Sequence, residues 1–271
     1  MMINLIPGTI SVLFVVTFGY ISYRFNVLDL QGFIAATAIG CTVIFLGGIQ
    51  WFILLASFLI IASITTRYRY EQKTKLHSAQ ENKGARGWRN VMANGGIAIL
   101  SSLGYGVTKL ASFEMMFLGA VSTATADTLA TELGLLSSND PRLITALSQR
   151  VRRGVSGGVT LLGESATLLG SFAIAIVASV IGFSGLPPLQ LWMISLISGF
   201  LGSIFDSFIG ASLQSRYECP ICSEETENRI HCESFTRLKR GYAFIDNNLV
   251  NLGSTAVGAL IAMGLLMLGI Q

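Results

Sequence analysis

Charge is scarce in this chain. Only 12% of its 271 residues are Asp, Glu, Lys or Arg, against 52% hydrophobic residues and a mean hydropathy of +0.63. That balance excludes a soluble domain with one anchor and reads as a polytopic membrane protein. No basic segment precedes the first apolar run, Leu5–Tyr20, so the run is expected to be a retained helix and not a cleaved leader. Basic residues are also missing from within the apolar runs, and nothing there neutralises the acids they contain. Neither a Gly-x4-Gly-Lys-Ser/Thr loop nor a Gly-x-Gly-x-x-Gly turn occurs, so any phosphate chemistry does not use a soluble nucleotide fold. The net charge of +3 is modest, and no nucleic-acid partner is expected.

What is present is a series of apolar runs of spanning length. They cover Leu5–Tyr20, Gly32–Gly47, Gly48–Thr65, Asn90–Val107, Ser112–Gly134, Gly158–Phe183, Leu189–Leu213 and Asp246–Ile270. The expected fold is all-α, one integral membrane domain over residues 1–271 with about eight transmembrane helices. Of the 18 basic residues, all but Lys109 fall in the connections after the first, third, fifth and seventh runs. Positive charge marks the cytoplasmic side, so both termini are expected outside. The cytoplasmic connections then include a basic loop at 66–89, a basic Gly-rich loop at 135–157 and a longer loop at 214–245.

Four carboxylates lie beyond the first turn of these runs: Asp127, Glu132, Glu164 and Asp206. An ionised group in hydrocarbon costs at least ~2.5–3.5 kcal/mol, so such residues face a protein-lined cavity. At the helical rise, Asp127, Asp206, Glu164, Asn94 and Asn251 sit ~6–12 Å below the cytoplasmic boundary, in one shallow layer. Single polar residues often only join helices, but four acids and an Asn cluster at one depth call for a divalent cation. Oxygen ligands of this kind suit Mg²⁺, which shares its shell with water and substrate phosphates. Asp127 shares a helix face with Thr131, Asn90 with Asn94, and Asn247 with Asn251. Glu132 lies about 140° round the helix from Asp127, and a polar cavity wall would also suit Glu164.

The loops add two motifs. Arg152-Arg153-Gly154-Val155-Ser156-Gly157-Gly158-Val159-Thr160 runs into the sixth apolar run, where glycine backbone and a helix N-terminus favour an anion. Flanking arginines strengthen a phosphate reading, although ordinary positive-inside charge on a flexible loop is the bland alternative. Lys83-Gly84-Ala85-Arg86-Gly87-Trp88-Arg89-Asn90 is a similar entry, with Trp88 suited to the interfacial belt. Cys219-Pro-Ile-Cys222, then His231-Cys232, reads as a small zinc knuckle that stiffens the last loop over the site. A reduced cytosolic face argues against a disulfide there. Cys41 reads as packing and His77 as a solvated loop residue.

A faint internal echo links Asn94-Gly95-Gly96-Ile97 with Ser156-Gly157-Gly158-Val159, and Asp127-Thr128-x-x-Thr131 with Asp206-Ser207-x-x-Gly210-Ala211. Two parallel hairpins would then serve one site. The blocks Ala126–Gly134, Ser156–Thr160, Gly202–Ala211 and Asp246–Asn251, in this order across residues 83 to 260, resemble the signature blocks of one membrane family. It includes the plant phytyl-phosphate kinases and an uncharacterised animal transmembrane protein. The knuckle-like cysteines resemble prokaryotic, especially archaeal, members.

The resemblance implies phosphoryl transfer from a nucleoside triphosphate, with CTP favoured, to a prenyl monophosphate. Asp127, Asp206 and Glu132 would then hold Mg²⁺ on the triphosphate, with Asn247, Asn248 and Asn251 ligating the metal or orienting phosphate oxygens. Arg152, Arg153, Gly157, Gly158 and Thr160 would cradle phosphates beside Asn94, with Arg86 and Arg89 assisting. The expected partners are the lipid bilayer, the prenyl phosphate and the nucleotide, with homo-oligomerisation left open. Positioning and charge neutralisation carry most of such catalysis, so no catalytic His or Cys is required. A lipid cytidylyltransferase uses the same ingredients. An ion-coupled transporter is the rival from another class, although transporters place acids near the midplane in inverted repeats.

Overall fold

The computed structural model describes residues 8–75 and 84–269; His77 and Lys83 lie outside them. Among the described residues, eight long helices stand where the apolar runs are: α1 (Gly8–Arg24), α2 (Leu30–Leu46), α3 (Ile49–Arg67), α5 (Trp88–Thr108), α6 (Ala111–Gly134), α7 (Leu161–Val180), α8 (Pro188–Ser212) and α9 (Asn247–Met267). A short α4 (Tyr70–Lys75) lies between α3 and α5. Among the described residues, five helices (α3, α5, α7, α8 and α9) are long and apolar enough to cross a membrane, and α2 is a shorter apolar helix.

The chain turns tightly at one end of the bundle. Gly47-Gly48 joins α2 to α3, and Lys109, in the left-handed conformation at φ 56°, caps α5 before α6. An aromatic cluster forms part of the core, with Trp51 4.4 Å from Phe117 and 5.0 Å from Tyr105 between ring centroids. The long connections gather at the opposite end. Two of them, after α6 and after α8, fold into small sheets, which the all-α expectation did not include. Strands β1 (Arg142–Leu143), β2 (Ala146–Arg150) and β3 (Gly158–Val159) pair in the order β2-β1-β3. In the last loop, β4 (Arg216–Glu218), β5 (Glu225–Thr226) and β8 (Arg237–Arg240) pair as β5-β4-β8, beside a hairpin of β6 (Ile230–His231) and β7 (Ser234–Phe235).

Helix α6 is the hub and packs against α3, α5, α7, α8 and α9. Small residues let it do so. A Cβ on Gly119 would strike the Gly258 carbonyl oxygen, and one on Gly170 would come within 3.0 Å of Ala126 Cα. Hydroxyls join the same interfaces: Ser195 Oγ donates to Ser171 O at 2.8 Å and lies 2.7 Å from Ser122 Oγ. Lipid gives helices no hydrophobic reason to associate, so close backbone approach and interhelical hydrogen bonds take that role. This packing fixes where the polar residues of α6 and α8 point.

Candidate functional site

An open cavity of ≈ 270 Å³ lies at the loop-bearing end of the bundle. The C-terminal parts of α6 and α8 bring Asp127, Thr128, Thr131, Asp206 and Ser207 to it. Three helix N-termini open onto the same space: α5 with Asn90 and Asn94, α7 with Thr160, Gly163 and Glu164, and α9 with Asn247 and Asn251. Thr160 and Asp246 cap α7 and α9, accepting from Gly163 N at 3.0 Å and Leu249 N at 2.9 Å. Convergent N-termini supply partial positive charge suited to an anion.

Asp127 and Asp206 interact across this space, and Glu164 adds to the same field. Ser203 stands beside Asp127 and Ser254 beside Asp206. The Asn251 amide nitrogen, oriented to donate, reaches Asp206 Oδ2 at 3.3 Å and Asn247 O at 3.0 Å. Glu164 Oε2 is buried without a hydrogen-bond partner. None of the ion pairs among the described residues engages Asp127, Asp206 or Glu164. An unpaired, oxygen-only set of this kind fits Mg²⁺, which needs one or two carboxylates and completes its shell from water and phosphate.

Glu132 requires a correction. It does not line the cavity, is 2% exposed, and lies 2.6 Å from Lys73 Nζ, which is 1% exposed. Lys73 comes from α4 and also donates to Thr65 O at 2.8 Å and Thr66 O at 3.2 Å, closing the C-terminus of α3. The ion pair holds α4 against the bundle, and a cation from a neighbouring loop neutralises the acid that its own helix could not. The 140° offset from Asp127 is the physical reason for the separation.

The other candidates divide between cavity and surface. Arg86 lines the cavity, is 5% exposed, and donates to Ser63 Oγ at 3.2 Å and Thr66 Oγ1 at 3.4 Å. Burial lowers its pKa to about 10, with Glu132 acting against that, so it stays cationic at neutral pH. Arg89 is exposed, 5.7 Å from the Trp88 ring centroid. Asn248 is half-buried and outside the cavity wall, one position round α9 from Asn247. Arg152 is exposed, and Arg153 donates to Ser138 O at 3.4 Å, so neither lines the cavity.

Gly157 and Gly158 do line the cavity, but for more than anion approach. Gly157 has φ +78°, and an added Cβ would strike Ala211. Gly158 N already donates to Val155 O at 2.9 Å, so that amide is engaged within the turn.

Sequence reasoning missed Lys73 and Glu227. Glu227 reaches the cavity from the last loop, near Arg216 and Gln214. Nothing in its spacing distinguishes it from Glu224 and Glu225 beside it. In the same loop, Cys219, Cys222, His231 and Cys232 bring their ligating atoms within 4.8 Å of one another. Among the described residues this is the only group of three or more such side chains that converges so closely.

A second, apolar pocket of ≈ 60 Å³ lies among α1, α2, α3 and α5. Phe18, Ile39, Phe52 and Leu55 line it, and it shares Arg86, Asn90 and Asn94 with the polar cavity.

Comparison with known proteins agrees with this architecture. The family model described as integral membrane protein DUF92 matches residues 13–259. An uncharacterized membrane protein of Methanocaldococcus jannaschii is 29% identical over 216 residues, covering 79% of this chain and 86% of its own. Protein PGR of Arabidopsis thaliana is 28% identical over 257 residues, covering 86% of this chain and 87% of its own. Protein VTE6, chloroplastic, also of Arabidopsis thaliana, is 27% identical over 242 residues, covering 87% of this chain and 64% of its own. No solved structure matches. The match over nearly the whole bundle means that the chain belongs to the DUF92 family of integral membrane proteins.

Proposed function

We propose that the chain is a CTP-dependent prenyl-phosphate kinase, adding a phosphoryl group to a prenyl monophosphate at the cytoplasmic face of the membrane. The observation that carries this reading is the junction of two spaces. A polar cavity bearing unpaired acids meets an apolar pocket at Arg86, Asn90 and Asn94. An amphiphilic phosphate suits that junction, with its chain among α1, α2, α3 and α5 and its headgroup against Arg86. The likeness of the Asp127, Gly157, Asp206 and Asn247 blocks to the phytyl-phosphate kinases supports the same class. The one-sided distribution of basic residues supports a cytoplasmic cavity with both termini outside.

In this reading Asp127 and Asp206 hold Mg²⁺, which would offset charge on the triphosphate oxygens. Asn251, oriented by the Asn247 carbonyl, fixes the Asp206 carboxylate, and both side chains present amide dipoles to phosphate. The N-termini of α5, α7 and α9 stabilise the anionic groups. Arg86 orients the acceptor. An oxygen of the acceptor phosphate bonds to the γ-phosphorus, the bond to the β-phosphate bridging oxygen breaks, and CDP leaves. The acceptor is already anionic, so no general base is needed.

The test is product analysis. Purified protein is incubated with CTP labelled in the base or at the γ-phosphate, Mg²⁺ and a panel of prenyl monophosphates. CDP and a labelled prenyl diphosphate are expected. Pyrophosphate with a CDP-lipid would make the protein a cytidylyltransferase, and solute uptake without nucleotide turnover would make it a transporter.

A further inference from the structure

We propose that Cys219, Cys222, His231 and Cys232 bind a zinc ion whose role is to clasp the Gly154–Gly158 loop over the cavity and to hold Glu227 in its wall. The inference stands apart from the reaction catalysed. His231 Nδ1 lies 3.5 Å from Cys222 Sγ and 3.4 Å from Cys232 Sγ. Zn–S and Zn–N bonds of about 2.3 and 2.05 Å at a tetrahedral angle place sulfur and nitrogen about 3.6 Å apart. The spacing is therefore that of a shell ready to close, and a set of three sulfurs and one imidazole selects zinc among divalent ions. All three cysteines are free thiols.

Local backbone explains how adjacent His231 and Cys232 both serve. Cys232 and Glu233 have φ 49° and 58°, the two left-handed positions of a tight hairpin turn between β6 and β7. On the other side, Ser223 has φ 57° and its N–H donates to Cys219 O at 2.9 Å, which turns Cys222 back toward Cys219.

The loop needs such a staple. From Pro220 to Leu249 no residue is buried, and Tyr217 of β4 is the one buried apolar side chain in these strands, so the β5-β4-β8 sheet and the β6-β7 hairpin have almost no apolar core of their own. Metal binding supplies folding energy where a core cannot. Cys222 and His231 bracket the segment that carries Glu227, so one ion fixes both ends of it. The clasp continues from β4: Arg216 Nη2 donates to Ser156 O at 2.8 Å, and Ser156 Oγ donates to Gln214 Oε1 at 2.6 Å. Ser156 is the residue next to Gly157 in the cavity rim.

The experiment uses the full chain in detergent, purified without chelator, with metal content by plasma mass spectrometry and amide exchange by mass spectrometry. One zinc per chain is expected. Cys232→Ser should lose it and speed exchange at residues 154–160 by roughly tenfold or more, with the peptides of α6 to α9 unchanged. Arg216→Met should keep the zinc yet loosen the same residues, which separates the clasp from the metal. Absence of zinc from the wild-type protein would overturn the proposal. So would zinc loss in Cys232→Ser with unchanged exchange at 154–160, or an Arg216→Met variant indistinguishable from wild type.

Discussion

The Lys73–Glu132 pair offers the sharpest separation between a structural acid and a metal-binding one. Both side chains are at most 2% exposed and their charges are 2.6 Å apart. Removing one partner of such a pair leaves an uncompensated buried charge, at about 3–5 kcal/mol. Glu132→Gln therefore loses the charge partner of Lys73 but keeps its bonds to Thr65 O and Thr66 O, whereas Lys73→Met loses all three contacts. Lys73→Met should be the more destabilised of the two. The double variant removes both charges, so its loss should fall short of the sum by a coupling of about 1–3 kcal/mol. Denaturant or thermal unfolding in detergent, followed by tryptophan fluorescence, measures all four corners. The Mg²⁺ dependence of turnover should have the same midpoint in Glu132→Gln as in wild type, because Glu132 does not reach the cavity. A stable Glu132→Gln protein with a shifted Mg²⁺ midpoint would refute the structural assignment, as would strictly additive losses.

Three further outcomes follow from the same geometry. Gly157→Ala adds a Cβ at φ +78° against Ala211, costing about 1–3 kcal/mol locally; turnover should fall while the thermal transition of the bundle moves little. Arg86→Met should raise the apparent KM for the prenyl phosphate by roughly tenfold or more, with the KM for nucleotide little changed in steady-state assays. Gly258→Val drives a side chain into Thr123 and the Gly119 backbone, so unfolding in detergent should show a loss of about 1–3 kcal/mol.

The helices were legible because hydropathy depends on runs of residues, and the runs ended where Gly47, Lys109 and the basic loops interrupt them. Asp127, Asp206, Asn94 and Asn251 were legible as one layer because depth follows directly from helical rise. Azimuth was harder. Glu132 shares that layer but lies on another face, and its partner Lys73 reads in sequence as one more basic loop residue. Arg152 and Arg153 adjoin the rim in sequence, but the β1–β3 pairing brings Ser156, Gly157, Gly158 and Thr160 to it and neither arginine. Glu227 was invisible for a related reason: its place depends on how a coreless loop folds back over the bundle, which no local pattern encodes. The four zinc-type ligands were legible by spacing, whereas their convergence depended on left-handed residues at 223, 232 and 233 that are not glycine.

The central claim is that Asp127 and Asp206, carried by different helices, bind one divalent cation together with the triphosphate. Mn²⁺ in place of Mg²⁺, titrated in the presence of CTP and followed by electron paramagnetic resonance, tests it most directly. Saturable binding at one site per chain is expected for the wild type, and loss of that site in both Asp127→Asn and Asp206→Asn while each stays folded. Unchanged Mn²⁺ binding in the two folded variants would contradict the account.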